Sequence, residues 1–279
     1  MDNFLSNNLD NIKSETDLFG TKVDKLSMKD RIGFLPISIW EPDWNIVKKL
    51  KEVVGDNAKL RGDSSYGFQK NQSIFNPHLA QMILSAYCPP NAKIYDSFAG
   101  GGTRGFIATA MGHNYYGREI RQEEIDRIVM QQEYLNKHFI IVKKDAQEEP
   151  PIKGYFDFSY TCPPYYNLEI YSQLHNDLSN AKTYQDFLGM IKKCLYSNYL
   201  SLKKDALSVW IVGNFRDKDS NLIHFNGDIV RLGLEVGFKL HDELIFWGAS
   251  KCAAQRCGQF VANRRSVRVH EYIIVFIKH

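Results

Sequence analysis

The chain has 279 residues, 44% hydrophobic and 24% charged, which allows a sizeable buried core and excludes a disordered or low-complexity protein. Its 35 basic and 32 acidic side chains leave a formal charge of +3, too small to identify a partner without knowing where the positive charge sits. No apolar run approaches the ~20 residues of a membrane span, and the N-terminus lacks the basic start and apolar stretch of a secretory signal.

Five scattered cysteines (Cys88, Cys162, Cys194, Cys252 and Cys257) contain no C-x-x-C pair. A reduced, cytoplasmic protein without a metal site is expected, and no membrane partner.

Residues 1–70 read as an N-terminal extension, polar at first and then anchored by Phe34, Trp40 and Trp44. From residue 71 to 279 the chain alternates as one catalytic domain. "NPHLAQMILSAY" has helical spacing. The strand "KIYDSF", a glycine turn and a helix ending at Gly112 follow. Next come the strand "NYYGREI", a polar helix, and the strands "FIIVKKD" and "YFDFSYT". Thr183 and Asp186 open a further helix in a capping-box pattern. The strand "LSVWIVGN", another helix and the strands "KLHDELIFW" and "VHEYIIVFIK" end the chain. The expected fold is α/β: a Rossmann-like, doubly wound, mainly parallel seven-stranded sheet with an antiparallel last strand. Ligands of such sheets bind beyond the carboxyl ends of the strands, which points to the residues after Tyr95, Ile120, Val142, Tyr160 and Val212.

The glycine turn Gly100, Gly102 and Gly105 satisfies G-x-G-x-x-G, and glycines let a ligand approach the backbone closely. It contains no Gly-Lys-Ser/Thr, so a phosphate-gripping P-loop is not expected. Asp96, at the end of the preceding strand, would crowd a pyrophosphate but suits a ligand with a cationic amino group and a sulfonium. Glu119 ends the second strand, where an acid bridges ribose hydroxyls. Asp145 follows the third strand, in reach of an adenine amine or as a solvated turn acid. Thr161-Cys162-Pro163-Pro164-Tyr165 then breaks the fourth strand at its carboxyl end. The prolines fix an extended backbone and leave carbonyls as acceptors, while Tyr165 offers a ring to stack on a planar base.

Together, Asp96-Ser97-Phe98-Ala99-Gly100-Gly101-Gly102 and Cys162-Pro163-Pro164-Tyr165 resemble the paired motifs of the S-adenosylmethionine-dependent amino-methyltransferases of DNA, the N6-adenine/N4-cytosine family, and most of all its short phage-type members. Phe75, Asn76 and Pro77 resemble the segment packed over the methionine part of the cofactor. The resemblance implies S-adenosylmethionine held by these three residues and by Asp96, Phe98, Ala99, Gly100, Gly102, Glu119 and Asp145. Thr161, Cys162, Pro163, Pro164 and Tyr165 would receive a flipped-out base and methylate cytosine N4 or adenine N6. Two departures stand out: Ser97 replaces a proline, and Cys162 replaces Asp, Asn or Ser with a weaker hydrogen-bond partner.

DNA is the implied partner, for a monomer or homodimer in the cytoplasm of a bacterium or a phage-infected cell, serving restriction protection or regulation. The basic segment 251–268, with Lys251, Arg256, Arg264, Arg265 and Arg268, is the expected contact with its phosphates. Competing readings are an RNA or protein amino-methyltransferase, an inactive nucleic-acid-binding relative, an NAD-dependent oxidoreductase resting on the glycines and Glu119 alone, and a cytosine C5 enzyme using Cys162 as nucleophile. The last is disfavoured because the prolines follow the cysteine.

Overall fold

The computed structural model describes residues 14–16, 22–24, 37–54, 75–166, 172–248 and 258–279. The chain divides into two compact units, Met1–Ile37 and Ser38–His279. In the first, β1 (Ser14–Thr16) and β2 (Lys22–Asp24) form an antiparallel pair.

The second unit begins with β3 (Ile39–Trp40) and α1 (Trp44–Val53). Then come α2 (Pro77–Tyr87), β4 (Lys93–Asp96), α3 (Thr103–Ala110), β5 (Asn114–Glu119), α4 (Gln122–Leu135) and β6 (Ile140–Lys143). After β7 (Phe156–Thr161) lie a short 3-10 turn (Leu178–Asn180), α5 (Tyr184–Ser201), β8 (Leu202–Val212), β9 (Phe215–Arg216) and β10 (Leu222–Ile223). The chain closes with α6 (Phe225–Val236), β11 (Lys239–Phe246), α7 (Gly258–Asn263) and β12 (Glu271–Ile277).

Eight strands form the main sheet in the order β3-β11-β12-β8-β7-β4-β5-β6. β8, β7, β4, β5 and β6 run parallel, and β12 lies antiparallel between β11 and β8. The seven expected strands are present with the antiparallel last strand. The eighth, β3, adds in parallel to β11 and covers its free edge. Two residues carry no periodicity, so the sequence pattern could not announce it.

Val209–Val212 of β8 and Ile273–Phe276 of β12 are buried on both faces and read as continuous apolar runs, as inner strands of such sheets do. Alternation sorts their side chains. Tyr95, Trp210, Val212, Ile274 and Phe276 share a core with Phe187 and Ile191 of α5 and Phe225 and Ile229 of α6. Ile94, Ile211, Ile273 and Val275 point to the other face and are also buried, as are Leu79 and Ile83 of α2 and Phe106 of α3. Thr183 caps α5 through a reciprocal bond with Asp186, as the sequence predicts.

Part of the expected N-terminal extension is built into this unit. Trp40 is buried and stacks on Tyr87 at 6.0 Å. Asp43 caps α1 with its side chain, and its N–H donates to His78 Nδ1 at 2.9 Å. Gln131 and Lys137 hold the last carbonyls of the α1 segment.

Candidate active site

β4 and β7 are neighbours, with Tyr95 opposite Ser159, so the glycine turn and the Pro-Pro segment emerge side by side at the point where strand order reverses. Between them lies a cavity of about 600 Å³. Phe98, Ala99, Gly100, Glu119, Asp145, Cys162, Pro163, Pro164 and Tyr165 all line it, as do Phe75, Asn76 and Arg268. Residues from both motifs thus share one wall system, which the sequence alone could only infer.

Asp96 does not take the position expected of it. It is fully buried and absent from the cavity wall. One oxygen accepts from the Phe98 N–H at 3.0 Å and the Thr161 hydroxyl at 2.7 Å. The other accepts from Arg104 Nε at 2.6 Å and the Tyr115 hydroxyl at 2.5 Å. A carboxylate has about four acceptor sites, and four protein donors fill them. Asp96 therefore joins the two motifs from behind rather than meeting a cationic ligand. Thr161 is likewise fully buried as its partner, and Pro77 and Gly102 lie outside the wall. Pro77 serves as the first residue of α2, and Gly102 as the left-handed N-cap of α3 at φ 76°.

Arg104, missed in the sequence, replaces Asp96 in the wall. Burial works against its charge, but Asp96 and the neighbouring Tyr115 and Cys162 raise its pKa, so it stays a cation. Its guanidinium lies 4.7 Å over the Phe75 ring and donates to the Phe98 carbonyl. The signal for it was weak: a buried acid at a strand end demands a cation, and Arg104 is the basic residue in the helix that follows.

Asn76 spends its side-chain carbonyl on capping α2, accepting from His78 N and Leu79 N. Glu119 accepts from Gly100 N at 3.0 Å and from Arg121 N at 3.0 Å and Nε at 3.3 Å. Burial raises its pKa, with Arg121 opposing the shift. Three of its roughly four acceptor sites are used by these donors. Asp145 is held by Gln147 and by Asn176 at 2.9 Å. Arg118 pins the loop 145–149 by donating to the carbonyls of Asp145, Glu148 and Glu149.

Tyr165 packs edge-on against Phe215 and Phe225, with ring centroids 6.1 and 6.3 Å apart. In the same wall, Glu271 has its pKa raised by burial, with the nearby Tyr165 hydroxyl opposing the shift. His270, in the same wall, has its pKa lowered by burial and by Arg268, so its ring is neutral near pH 7. Glu271 and His270 carried no motif. Among the basic segment, Arg264 and Arg265 are described, while Lys251 and Arg256 lie outside the described residues.

The cavity suits S-adenosylmethionine on two observations. A β-carbon built on Gly100, at φ 50°, would meet nothing closer than 3.8 Å, so bare backbone faces the cavity. The N-terminus of α3 has no side-chain cap, which leaves its first N–H groups for a ligand's anionic end.

A family model described as DNA methylase, of the N6/N4 type, matches residues 13–131. The chain resembles the N6/N4 DNA methylases. The match spans the glycine turn and stops before Pro163, so the Pro-Pro-Tyr segment lies beyond it. The cofactor expected from the motifs, S-adenosylmethionine, is that of the family matched. No curated protein matches the sequence.

Solved structures share the fold. TrmN from Thermus thermophilus is 14% identical with a TM-score of 0.51 over 74% of this chain, which spans only 49% of TrmN. A methyltransferase from Pyrococcus furiosus is 12% identical with a TM-score of 0.51, covering 84% of this chain and 98% of its own. The [4+2]-cyclase SpnF reaches 0.53 at 11% identity, covering 86% of this chain and 97% of its own. A cyclase on the same fold shows that the reaction must be argued from the site. Among the described residues, no helix is long and apolar enough to cross a membrane.

Proposed function

We propose that this protein methylates the exocyclic amine of a base in DNA, cytosine N4 or adenine N6, after the base leaves the duplex. The observation that carries this reading is the placement of Pro163, Pro164 and Tyr165 in the same cavity wall as the glycine turn. When bound, S-adenosylmethionine supplies an electrophilic methyl group. Ala99, Gly100 and the N-terminus of α3 hold it along one side, Glu119 receives its ribose, and Arg104 offers a cation to its carboxylate end. The Pro163 carbonyl accepts one N–H of the target amine, and Tyr165 gives the base a face to stack on. Both act by positioning rather than by covalent chemistry.

Lys251, Arg256, Arg264, Arg265 and Arg268 form the proposed phosphate contact, and residues 71–279 the proposed catalytic domain. The deciding experiment incubates the protein with labelled S-adenosylmethionine and enzymatically amplified, unmodified genomic DNA, then separates the nucleosides by mass spectrometry. N4-methylcytosine or N6-methyladenine is expected, and label in neither overturns the reading. Tyr165→Ala should lose at least a hundredfold in kcat with cofactor affinity within twofold; an active variant removes the ring from the scheme.

A further inference from the structure

Among the described residues, five carboxylates line the cavity, and four are engaged by protein donors other than Tyr165. Glu119 takes Gly100 and Arg121, and Glu124 takes Arg127 with its bond from Nε at 3.0 Å. Asp145 takes Gln147 and Asn176, and Asp177 takes Ser172 and Ser179. Glu271 differs: among the described residues its polar neighbour is the Tyr165 hydroxyl, which opposes the rise that burial gives its pKa.

Sheet register explains its position. Tyr272 pairs with Val212, so Glu271 stands beside Gly213, where β8 ends. Gly213 is also where the Tyr165 hydroxyl arrives, since a β-carbon there would lie 3.2 Å from it. On its other side Glu271 pairs with Phe246, itself a wall residue. Register thereby places Glu271 in the cavity wall beside the residue that the Tyr165 hydroxyl approaches. A primary amine has two N–H bonds, and the Pro163 carbonyl takes one. Cys162, whose thiol is a weak acceptor, serves poorly for the other.

We propose that Glu271 binds the target base, one carboxylate oxygen taking the Tyr165 hydroxyl and the other the second N–H of the exocyclic amine. The assignment rests on the functional reading above, that the substrate is an amine-bearing base. It also makes Glu271 a selector. A carboxylate welcomes the amine of adenine or cytosine and repels the carbonyl that hypoxanthine or uracil carries at the same atom.

The test uses the full chain and its Glu271→Gln variant, which keeps the shape and an acceptor for Tyr165. Binding of 2′-deoxyadenosine against 2′-deoxyinosine, and of 2′-deoxycytidine against 2′-deoxyuridine, is measured by NMR with S-adenosylhomocysteine present. The wild type should prefer the amine member of its pair by about tenfold or more, the scale of one hydrogen bond to a charged group. The preference should shrink to threefold or less in the variant, whose amide can turn to donate. On amplified genomic DNA, Glu271→Gln should lose at least tenfold in kcat with unchanged S-adenosylhomocysteine affinity.

A wild type without amine preference, or a variant within threefold of wild-type kcat, overturns the assignment of Glu271 while leaving the proposed function standing. A wild type that methylates neither base overturns the functional reading and this assignment with it. If the variant does not fold, the wild-type preference decides alone.

Discussion

Asp96 shows what a single residue can and cannot tell from sequence. Its place at a strand end was legible, but its neutralisation by Arg104 and its hydrogen bond from Tyr115 were not, because those partners meet it only once α3 and β5 are packed. The reassignment has a measurable consequence. Asp96→Asn would leave Arg104, 4% exposed, without its ion partner, and breaking a buried pair costs about 3–5 kcal/mol. Urea unfolding should show that loss in the absence of any cofactor, whereas a residue serving mainly as a ligand contact would leave apo stability nearly unchanged.

Glu271 is the opposite case, a residue with no motif whose role comes from register. Its folded-state pKa is raised, so the folded protein holds that proton more tightly than the unfolded chain. The associated stability is present below the ordinary carboxylate range and is lost as pH rises through the folded pKa. Arg268, His270 and Tyr165 share its wall, so they are kept unchanged in the comparison. Glu271→Gln lacks this proton linkage. Its urea midpoint relative to wild type should rise as pH is raised from the ordinary carboxylate range; a difference independent of pH would contradict the buried carboxyl.

At the scale of elements, strands and helices were legible where burial enforces a pattern. β12 is apolar through Ile273–Phe276, and α5 carries its cap and its stripe of Phe187, Ile191, Cys194 and Leu195 in sequence. β3 and α7 were not legible, being two and six residues long and without a full period of their own. The glycine pattern was legible but over-read, because its members serve different ends. Gly100 faces the cavity, whereas a β-carbon on Gly105 would come within 2.6 Å of the Phe139 ring. Gly105 is therefore required by helix packing against Phe139, with no ligand involved. Gly189, in the middle of α5, is exposed, and its β-carbon would meet nothing within 4 Å. The two glycines should respond to alanine with opposite signs. Gly105→Ala should destabilise by about 1–3 kcal/mol through overpacking, and Gly189→Ala should stabilise by about 0.8–1 kcal/mol through helix propensity. Thermal unfolding of the two variants against wild type checks both signs.

For the whole molecule, net charge and fold are both weak guides to function. A charge of +3 is compatible with many partners, and the same architecture appears in a cyclase. What separates this chain is where its charges stand. Buried arginines of the cavity are matched by carboxylates or carbonyls, as Arg104 is by Asp96 and Arg118 by the loop 145–149. Arg264 and Arg265 instead follow α7, exposed and half-buried respectively, and lead directly to Arg268 in the cavity wall. A duplex whose base reached Tyr165 would bring its phosphates to that approach. Each phosphate neutralised releases condensed counterions, so log K falls against log salt with a slope of about −0.9 per contact. Replacing Arg264 and Arg265 together by Ala should therefore flatten the slope by about two, and weaken binding to unrelated duplexes to a similar extent. Fluorescence anisotropy of a labelled duplex across a salt series measures it, with S-adenosylhomocysteine affinity as the control for folding. An unchanged slope would remove these two arginines from the proposed phosphate contact.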